Sequence, residues 1–257
     1  MLMTKQAIRA RVPRLPEAAG DKGLSKNAAG AGGRPLRLLV LGDSTAAGVG
    51  AEQQEDALAG QLAVAVTALT GRDVSWRVVA RSGATVRGVR RDLLTRLTEP
   101  TEGWQPDLLL VVAGVNDALT FRRPRAFRGD VERLVRDVRA RLGHDVPMMF
   151  AGLPETDAMD ALPRSVQLPL GRYLRLLDRQ LKVVASRHPA VFHLHSGGPP
   201  RMPGEWLAAD RFHPSAIGYR AWARALSGRV ATLVELEPAL VRRLGQGLAD
   251  GSEAELP

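Results

Sequence analysis

The hydrophobic positions of the chain follow two patterns, continuous apolar runs and helical spacing, which alternate along the sequence. This alternation predicts strands and helices that follow one another. Short, nearly continuous apolar runs are typical of strands buried on both faces. Five such runs occur, at Leu36–Leu41, Val74–Ala80, Asp107–Ala113, Met148–Leu153 and Val191–His195. Between them apolar residues recur at helical spacing, which predicts helices at Gln53–Leu69, Val86–Leu97, Val131–Leu142, Leu170–His188 and Ser215–Leu236. Because strands and helices alternate, we expect an α/β fold with a parallel sheet covered on both faces.

The two ends of the chain lack this periodicity. Residues 1–34 carry seven Lys and Arg residues, two acidic residues and five glycines. This composition favours an extended or partly disordered basic arm rather than a domain. We therefore expect one domain at residues 35–237, followed by a C-terminal tail at 238–257. Ser215 is a predicted N-cap of the last helix.

Polar clusters follow the predicted strands. In parallel sheets ligands bind beyond the carboxyl ends of the strands, near the point where the strand order reverses. Four clusters fall at that edge of the predicted sheet, at Gly42–Thr45, Ser82–Thr85, Gly114–Asp117 and Asp210–Pro214. Their convergence, which follows from chain order alone, predicts a functional site there.

The residue types in these clusters suit acyl transfer. Ser44 lies at a predicted strand-to-helix turn after the first strand, and a serine becomes a nucleophile when a base takes its proton. His213 is the best candidate base, because Asp210 lies three residues before it and can orient the imidazole. Candidate donors for an oxyanion are the backbone N–H groups of Ser44 and Gly83 and the side-chain amide of Asn116. We expect Asp43 and Asp117 to accept hydrogen bonds from loop backbone N–H groups.

Together these residues resemble the four sequence blocks of the SGNH hydrolase superfamily, also called the GDSL esterase/lipase family. The matching blocks are Gly42-Asp43-Ser44, Gly83, Gly114-x-Asn116-Asp117 and Asp210-x-x-His213. The first block continues with Thr45 where the family has leucine, and GDSTAAGVG is closer to bacterial lysophospholipase-like or arylesterase-like members.

This resemblance implies a flavodoxin-like three-layer α/β/α sandwich with a five-stranded parallel sheet. It also implies metal-free serine hydrolysis of small-molecule esters or thioesters, without a cofactor. In it Ser44 is the nucleophile, His213 the base and Asp210 its orienting partner, while Gly83 and Asn116 complete the oxyanion hole.

The loops at 154–169 and 197–209 are predicted to line the substrate cleft. Their apolar residues fit an acyl or aryl group better than a sugar, although the same residues suit packing of the loops onto the domain. The candidate substrate-binding residues are Leu162, Val166, Leu168, Met202 and Trp206. We expect esters of short-to-medium acyl chains. An O-deacetylase of carbohydrates or other small molecules, or an acyl thioesterase, would use the same residues.

Composition narrows the alternatives. The net charge is +9, but 32 of the 36 basic residues are arginines, and those in the predicted helices decorate exposed faces. With only 4% aromatic residues, no basic run interleaves with stacking rings, so we expect no nucleic-acid partner. A non-catalytic anion- or nucleic-acid-binding protein is the alternative from another class.

Cysteine is absent, which excludes disulfides and thiolate chemistry. His193 and His195 face one side of a strand and, with Asp210 and His213, are an alternative metal site. We favour the serine interpretation, which already uses two of these residues. The chain has neither an uncharged apolar run of membrane-spanning length nor a signal-like apolar segment near its start. We therefore expect no membrane span and a cytoplasmic location.

Overall fold

A six-stranded sheet forms the centre of the computed structural model, which describes residues 13–30, 33–97, 104–143, 146–154, 162–194 and 204–249. The strands are β1 (Lys22–Ser25), β2 (Leu36–Gly42), β3 (Val74–Ala80), β4 (Leu108–Val112), β5 (Met148–Ala151) and β6 (Val191–Leu194). Their spatial order is β1-β3-β2-β4-β5-β6. Strands β2 to β6 pair in parallel and β1 pairs antiparallel with β3. The five predicted parallel strands are therefore confirmed, and the strand count is corrected to six.

The additional strand, β1, comes from the basic arm, which we expected to be extended or partly disordered. Its sequence, KGLS, contains no apolar run, and Leu24 is 47% exposed. Hydrophobic periodicity does not detect such a strand, because an edge strand is held mainly by backbone hydrogen bonds. The arm also pairs beyond β1, where the Val78 N–H donates to the Asp21 carbonyl at 2.7 Å.

Six helices surround the sheet in the described residues. They are α1 (Leu58–Thr70), α2 (Val86–Asp92), α3 (Val115–Leu119), α4 (Pro124–Leu142), α5 (Arg164–Ala185) and α6 (Ala216–Ala249), with 3₁₀ turns at Leu94–Leu97 and Gly204–Trp206. None of the described helices is both long and apolar enough to cross a membrane.

Several helix boundaries differ from the sequence prediction, since α4 begins at Pro124 rather than Val131 and α5 at Arg164 rather than Leu170. Helix α1 begins at Leu58 rather than Gln53, because the preceding residues pair with the arm: the Ala19 N–H donates to the Glu52 carbonyl and the Gln54 N–H to the Ala19 carbonyl. Helix α6 continues through Pro238 to Ala249, so residues 238–249, which were predicted as tail, are helical. The segment after Pro238, ALVRRLGQGLA, consists mostly of good helix formers.

The helices form layers on the two faces of the sheet, as the apolar strands predict. Leu38 and Val40 of β2 pack in one core cluster with α1 and α6. The alternate residues Leu39 and Leu41 pack in a second cluster with α2, α4 and α5. The result is the expected three-layer α/β/α arrangement, with the parallel strands buried on both faces.

The topology brings three loops to one edge of this sheet. The chain leaves β2 for β3 on one side, and leaves β4 for β5 on the other, so a crevice opens between the carboxyl ends of β2 and β4. Gly42, the last residue of β2, is level with Ala80 of β3 and Val112 of β4. The three strands therefore end together, and their following loops meet.

Candidate active site

Ser44 lies in a series of tight turns between β2 and α1. The Ala47 N–H donates to the Asp43 carbonyl at 2.9 Å, and the Val49 N–H donates to the Ser44 carbonyl at 3.0 Å. The sequence suggested a strand-to-helix turn, but α1 begins fourteen residues later. The turns hold Ser44 only 9% exposed, with its side chain on the wall of a cleft.

His213 and Asp210 share the loop that leads into α6. Asp210 Oδ1 accepts hydrogen bonds from the backbone N–H groups of Phe212 and His213, both at 3.0 Å. Asp210 Oδ2 lies 2.6 Å from His213 Nδ1, and His213 Nε2 lies 2.9 Å from Ser44 Oγ. The structure thus brings the three sequence-predicted residues into one hydrogen-bonded chain, although Ser44 and His213 are 169 positions apart.

Asp210 is held in its ionised form despite its burial. Burial opposes ionisation, but the hydrogen bonds from the His213 ring and from the backbone N–H groups of His213 and Phe212 outweigh it, so the pKa of Asp210 lies below its ordinary value. A buried carboxylate in this position fixes the tautomer of the imidazole and stabilises its protonated form. His213 Nε2 is then left to accept the Ser44 proton.

Ser44, Gly83 and Asn116 lie on the wall of the same cleft. Gly83 adopts a φ of 78°, a left-handed conformation that favours glycine. Among the described residues, nothing accepts a hydrogen bond from the backbone N–H of Ser44 or Gly83, so both donors are available to a ligand. The Asn116 amide nitrogen is 3.5 Å from Asp43 Oδ2. The three donors proposed from the sequence therefore share one site.

Asp43 and Asp117 are buried beside this site and accept backbone hydrogen bonds, as expected. Asp43 accepts from the Thr45 N–H at 3.2 Å, and Asp117 accepts from the Val86 N–H at 2.9 Å. Burial raises the pKa of Asp43 to about 7 and that of Asp117 to about 6, because too few donors compensate for the lost water. Both carboxyls therefore favour their protonated forms more strongly than a solvated aspartate does.

Tyr219 of α6 connects the loop that contains Ser44 to the helix that follows the His213 loop. Sequence reasoning did not identify this residue. Its buried hydroxyl donates to the Val49 carbonyl at 2.7 Å. The loops also touch at Gly50, where a Cβ would lie 2.2 Å from the Pro214 carbonyl oxygen. The available sequence signal was the position of Tyr219, one helical turn after the Ser215 cap, whose Oγ accepts from the Gly218 N–H at 3.3 Å.

The cleft has a volume of about 530 Å³. Besides Ser44, Gly83, Asn116 and His213, its lining consists of Pro13, Arg14, Leu15, Pro16, Glu17, Val49, Ser82, Val115, Leu119 and Phe212. Ser82, Val115 and Phe212 belong to the polar clusters predicted at this edge of the sheet, whereas the other seven residues were not predicted to line the cleft. Of these seven, Val49 and Leu119 lie within five positions of a motif residue, and this adjacency was a signal that could have found them.

Four of the five predicted substrate-binding residues lie away from the cleft. Leu162 is buried in the core, Val166 packs against the same core, and Leu168 is 75% exposed on α5. Trp206 lies in a 3₁₀ turn, where its carbonyl accepts from the Ser215 N–H at 2.7 Å. None of these four lines the cleft, and Met202 lies outside the described residues.

His193, one of the histidines considered for a metal site, pairs with Asp178 rather than with Asp210. His193 Nε2 lies 2.9 Å from Asp178 Oδ1 of α5, and His195 lies outside the described residues. Within the described part of the chain, no group of three or more His, Asp or Glu side chains is arranged to hold a metal ion. Asp210 and His213 instead pair with each other and with Ser44.

Comparison with known proteins identifies the family of the chain. Residues 40–221 match the model of the GDSL-like lipase/acylhydrolase family. The chain belongs to this family. The matched range begins within β2 and includes β3 to β6 and all four sequence blocks.

A relative within the family is a GDSL-like esterase of Mycobacterium tuberculosis, 28% identical over 192 residues. The match covers 72% of this chain but only 58% of that relative, so the chain spans less than two thirds of the relative's length.

Among solved structures, the lipase Lip_vut3 from a goat rumen metagenome has a TM-score of 0.57 at 22% identity, covering 76% of this chain and 97% of its own. The psychrotrophic esterase EstA from Pseudoalteromonas sp. also has a TM-score of 0.57, at 18% identity, covering 77% and 98%. At these identities the likeness shows the shared fold.

Proposed function

We propose that this GDSL-family protein is a serine esterase that hydrolyses carboxylic esters of short-to-medium acyl chains. The observation that carries the proposal is the chain of hydrogen bonds from Ser44 Oγ to His213 Nε2 (2.9 Å) and from His213 Nδ1 to Asp210 (2.6 Å), on the wall of a cleft. This is the geometry in which a serine hydroxyl loses its proton to an oriented base as it attacks a carbonyl.

The reaction has two steps. Ser44 Oγ attacks the ester carbonyl while His213 takes its proton, and the oxyanion is held by the N–H groups of Ser44 and Gly83 and the amide of Asn116. His213 then gives the proton to the leaving alcohol, which leaves an acyl group on Ser44. Water, deprotonated by His213, hydrolyses this acyl-enzyme and regenerates the serine.

The lining of the cleft supports an acyl substrate. Val49, Val115, Leu119 and Phe212 offer apolar surface beside Ser44. Among the described lining residues, Phe212 is the one aromatic side chain besides the His213 ring. Sugar-binding clefts usually present several stacking rings and paired polar groups. The lining therefore favours an alkyl chain over a saccharide, while a thioester of the same acyl group remains a chemically equivalent substrate.

The direct test is hydrolysis of p-nitrophenyl acetate, butyrate and octanoate by the wild type and by Ser44→Ala. We expect turnover by the wild type and a loss of about 10⁴-fold or more in Ser44→Ala, whose fold is checked by circular dichroism. A suitable control is Ser186→Ala, since Ser186 is an exposed serine at the end of α5. Ser44→Ala with near-wild-type activity would contradict the proposal. Cleavage of acetylated saccharides alone would replace it with an O-deacetylase.

A further inference from the structure

The basic arm is attached to the catalytic loop by backbone hydrogen bonds. The Ala18 N–H donates to the Ala47 carbonyl at 3.0 Å, three residues after Ser44. The Ala19 N–H donates to the Glu52 carbonyl, and the Ala19 carbonyl accepts from the Gln54 N–H. Ala18 is buried in the core cluster that contains α1 and α6. These bonds fix where the residues before Ala18 enter the site.

The five residues before this anchor, Pro13–Glu17, form part of the cleft wall together with Ser44 and His213. The side chain of Leu15 is half-buried there, between two prolines that restrict the backbone. Arg14 is the one arginine or lysine in the part of the lining that the structure describes. The segment therefore adds both apolar surface and a cation to a cleft whose other walls come from loops after strands.

Glu17 connects this wall to the loop that carries Gly83. Its Oε1 accepts a hydrogen bond from the Ser82 N–H at 2.6 Å. On the other side of Gly83, Thr85 caps α2 through the Gly88 N–H at 3.1 Å, and Asp117 accepts from the Val86 N–H. The Gly83 loop is thus fastened at both ends. An oxyanion donor is effective only when its direction is fixed in advance, and such fixing comes from neighbouring hydrogen bonds.

We propose that Pro13–Glu17 is part of the substrate site, with Leu15 contacting the acyl chain and Glu17 acting as a positioning residue that fixes the Gly83 N–H through Ser82. The inference rests on the proposed esterase function. It assigns chain-length preference and part of the oxyanion geometry to a segment outside residues 40–221, the range that matches the family model.

The role of Glu17 is tested with Glu17→Ala and Glu17→Gln in the full chain. We expect Glu17→Ala to lower kcat about tenfold on both acetate and octanoate esters, with a smaller change in KM, because a loosened donor weakens transition-state binding. Glu17→Gln should restore most of this loss, since its amide oxygen can still accept from the Ser82 N–H. Glu52→Ala, an exposed glutamate beside the same anchor, is the matched control and should retain wild-type kcat.

The role of Leu15 is tested with the ester series. We expect Leu15→Ala to lower kcat/KM for octanoate about tenfold while that for acetate changes less than about twofold, because only the longer chain reaches the removed side chain. Leu24→Ala, in the exposed part of the same arm, should leave the preference unchanged. An octanoate-to-acetate ratio equal to that of the wild type in Leu15→Ala would overturn the assignment of chain length to the arm.

Amide hydrogen exchange separates this inference from the proposed function. Exchange at the Ser82 N–H needs no substrate, and we expect it to be protected in the wild type and Glu17→Gln but faster in Glu17→Ala. Equal exchange in all three, or an unchanged kcat in Glu17→Ala, would overturn the inference while leaving the esterase intact. A wild type that cleaves no ester would instead reject the proposed function.

Discussion

Asp210 and Asp43 are both buried aspartates that interact electrostatically with His213, yet their pKa values are shifted in opposite directions. Asp210, in the loop before α6, accepts two backbone N–H bonds at 3.0 Å and the imidazole at 2.6 Å. Asp43, in the loop after β2, accepts one backbone N–H at 3.2 Å and a longer contact from Asn116 at 3.5 Å. The pKa of Asp210 is lowered, whereas that of Asp43 is raised to about 7.

The two aspartates differ in their hydrogen-bond donors as well as in how completely they are desolvated, and the better-supplied carboxylate is the one that serves the histidine. Burial disfavours the charge of both side chains, and only the loop of Asp210 supplies enough hydrogen bonds to reverse that effect. The sequence distance is part of the cause: Asp210 lies three residues before His213, so one loop turn directs both the backbone N–H groups and the ring at the carboxylate.

Replacing each aspartate with asparagine is the strongest test of this comparison. Asp210→Asn should lower kcat about 10⁴-fold, because a neutral amide neither selects the required tautomer nor stabilises the protonated ring. Asp43→Asn should lower it far less, since Asp43 contacts neither Ser44 nor His213 by a hydrogen bond in the described residues. Steady-state kinetics on p-nitrophenyl butyrate provides the measurement. Equal losses in the two variants would contradict the assignment of Asp210.

Removing the side-chain amide of Asn116, which lies near Asp43, should have the next largest effect on kcat. Asn116→Ala is expected to lower kcat about 10²–10³-fold with little change in KM, the usual cost of losing one oxyanion donor. The only other asparagine of the chain is Asn27, in the arm. Its side-chain amide donates to the Gly71 carbonyl and its backbone N–H donates to Asp73, so Asn27→Ala should affect stability but leave kcat unchanged. A KM effect without a kcat effect in Asn116→Ala would argue for a ground-state contact instead.

The raised pKa of Asp43 should appear in the pH dependence of unfolding. Between pH 4 and 7 the unfolded carboxyl is ionised while the folded one keeps its proton, so the folded state binds more protons and loses stability as pH rises. A shift of about three units corresponds to roughly 4 kcal/mol at most. Asp43→Asn should flatten the slope of unfolding free energy in this window, measured with urea at fixed pH values. An unchanged slope would mean that a group other than Asp43 causes the pH dependence.

The contact between the two loops should make the smallest contribution. Tyr219→Phe leaves the buried Val49 carbonyl without its donor and should lower the free energy of unfolding by about 1–2 kcal/mol. The chain's other tyrosine, Tyr173, donates to the Arg122 carbonyl at 2.9 Å in a half-buried position outside the cleft, so Tyr173→Phe should cost less. Thermal unfolding of both variants gives the comparison, and an equal or larger loss in Tyr173→Phe would contradict it.

The sequence predicted the parts of the fold that bury apolar surface. The runs that became β2 to β6 are recognisable because both their faces are covered, and the motif residues were recognisable because each follows such a run. Strand β1 was not recognisable from the sequence, since KGLS is an edge strand with Leu24 exposed. Its position is set by backbone pairing with β3, which leaves no hydrophobic pattern.

The cleft walls were the least predictable part of the site. Phe212 and Val115 are neighbours of motif residues, but their exposure to the cleft depends on the turn geometry of each loop. Leu15 and Glu17 reach the site only because Ala18 and Ala19 bond the loop after Ser44, a contact between backbone groups that carries no residue preference. Leu162, by contrast, was assigned to the cleft because a loop was expected, yet it is buried in the core.

The central claim, that Ser44 is the nucleophile, is tested most directly by covalent labelling. Diisopropyl fluorophosphate reacts with a serine that a neighbouring base activates, and the adduct is located by mass spectrometry of peptides. We expect one adduct per chain, on the peptide that contains Ser44, and none in His213→Ala, which lacks the base. An adduct on another residue, or an unlabelled Ser44 in a folded protein that cleaves esters, would contradict the assignment of Ser44 as the nucleophile.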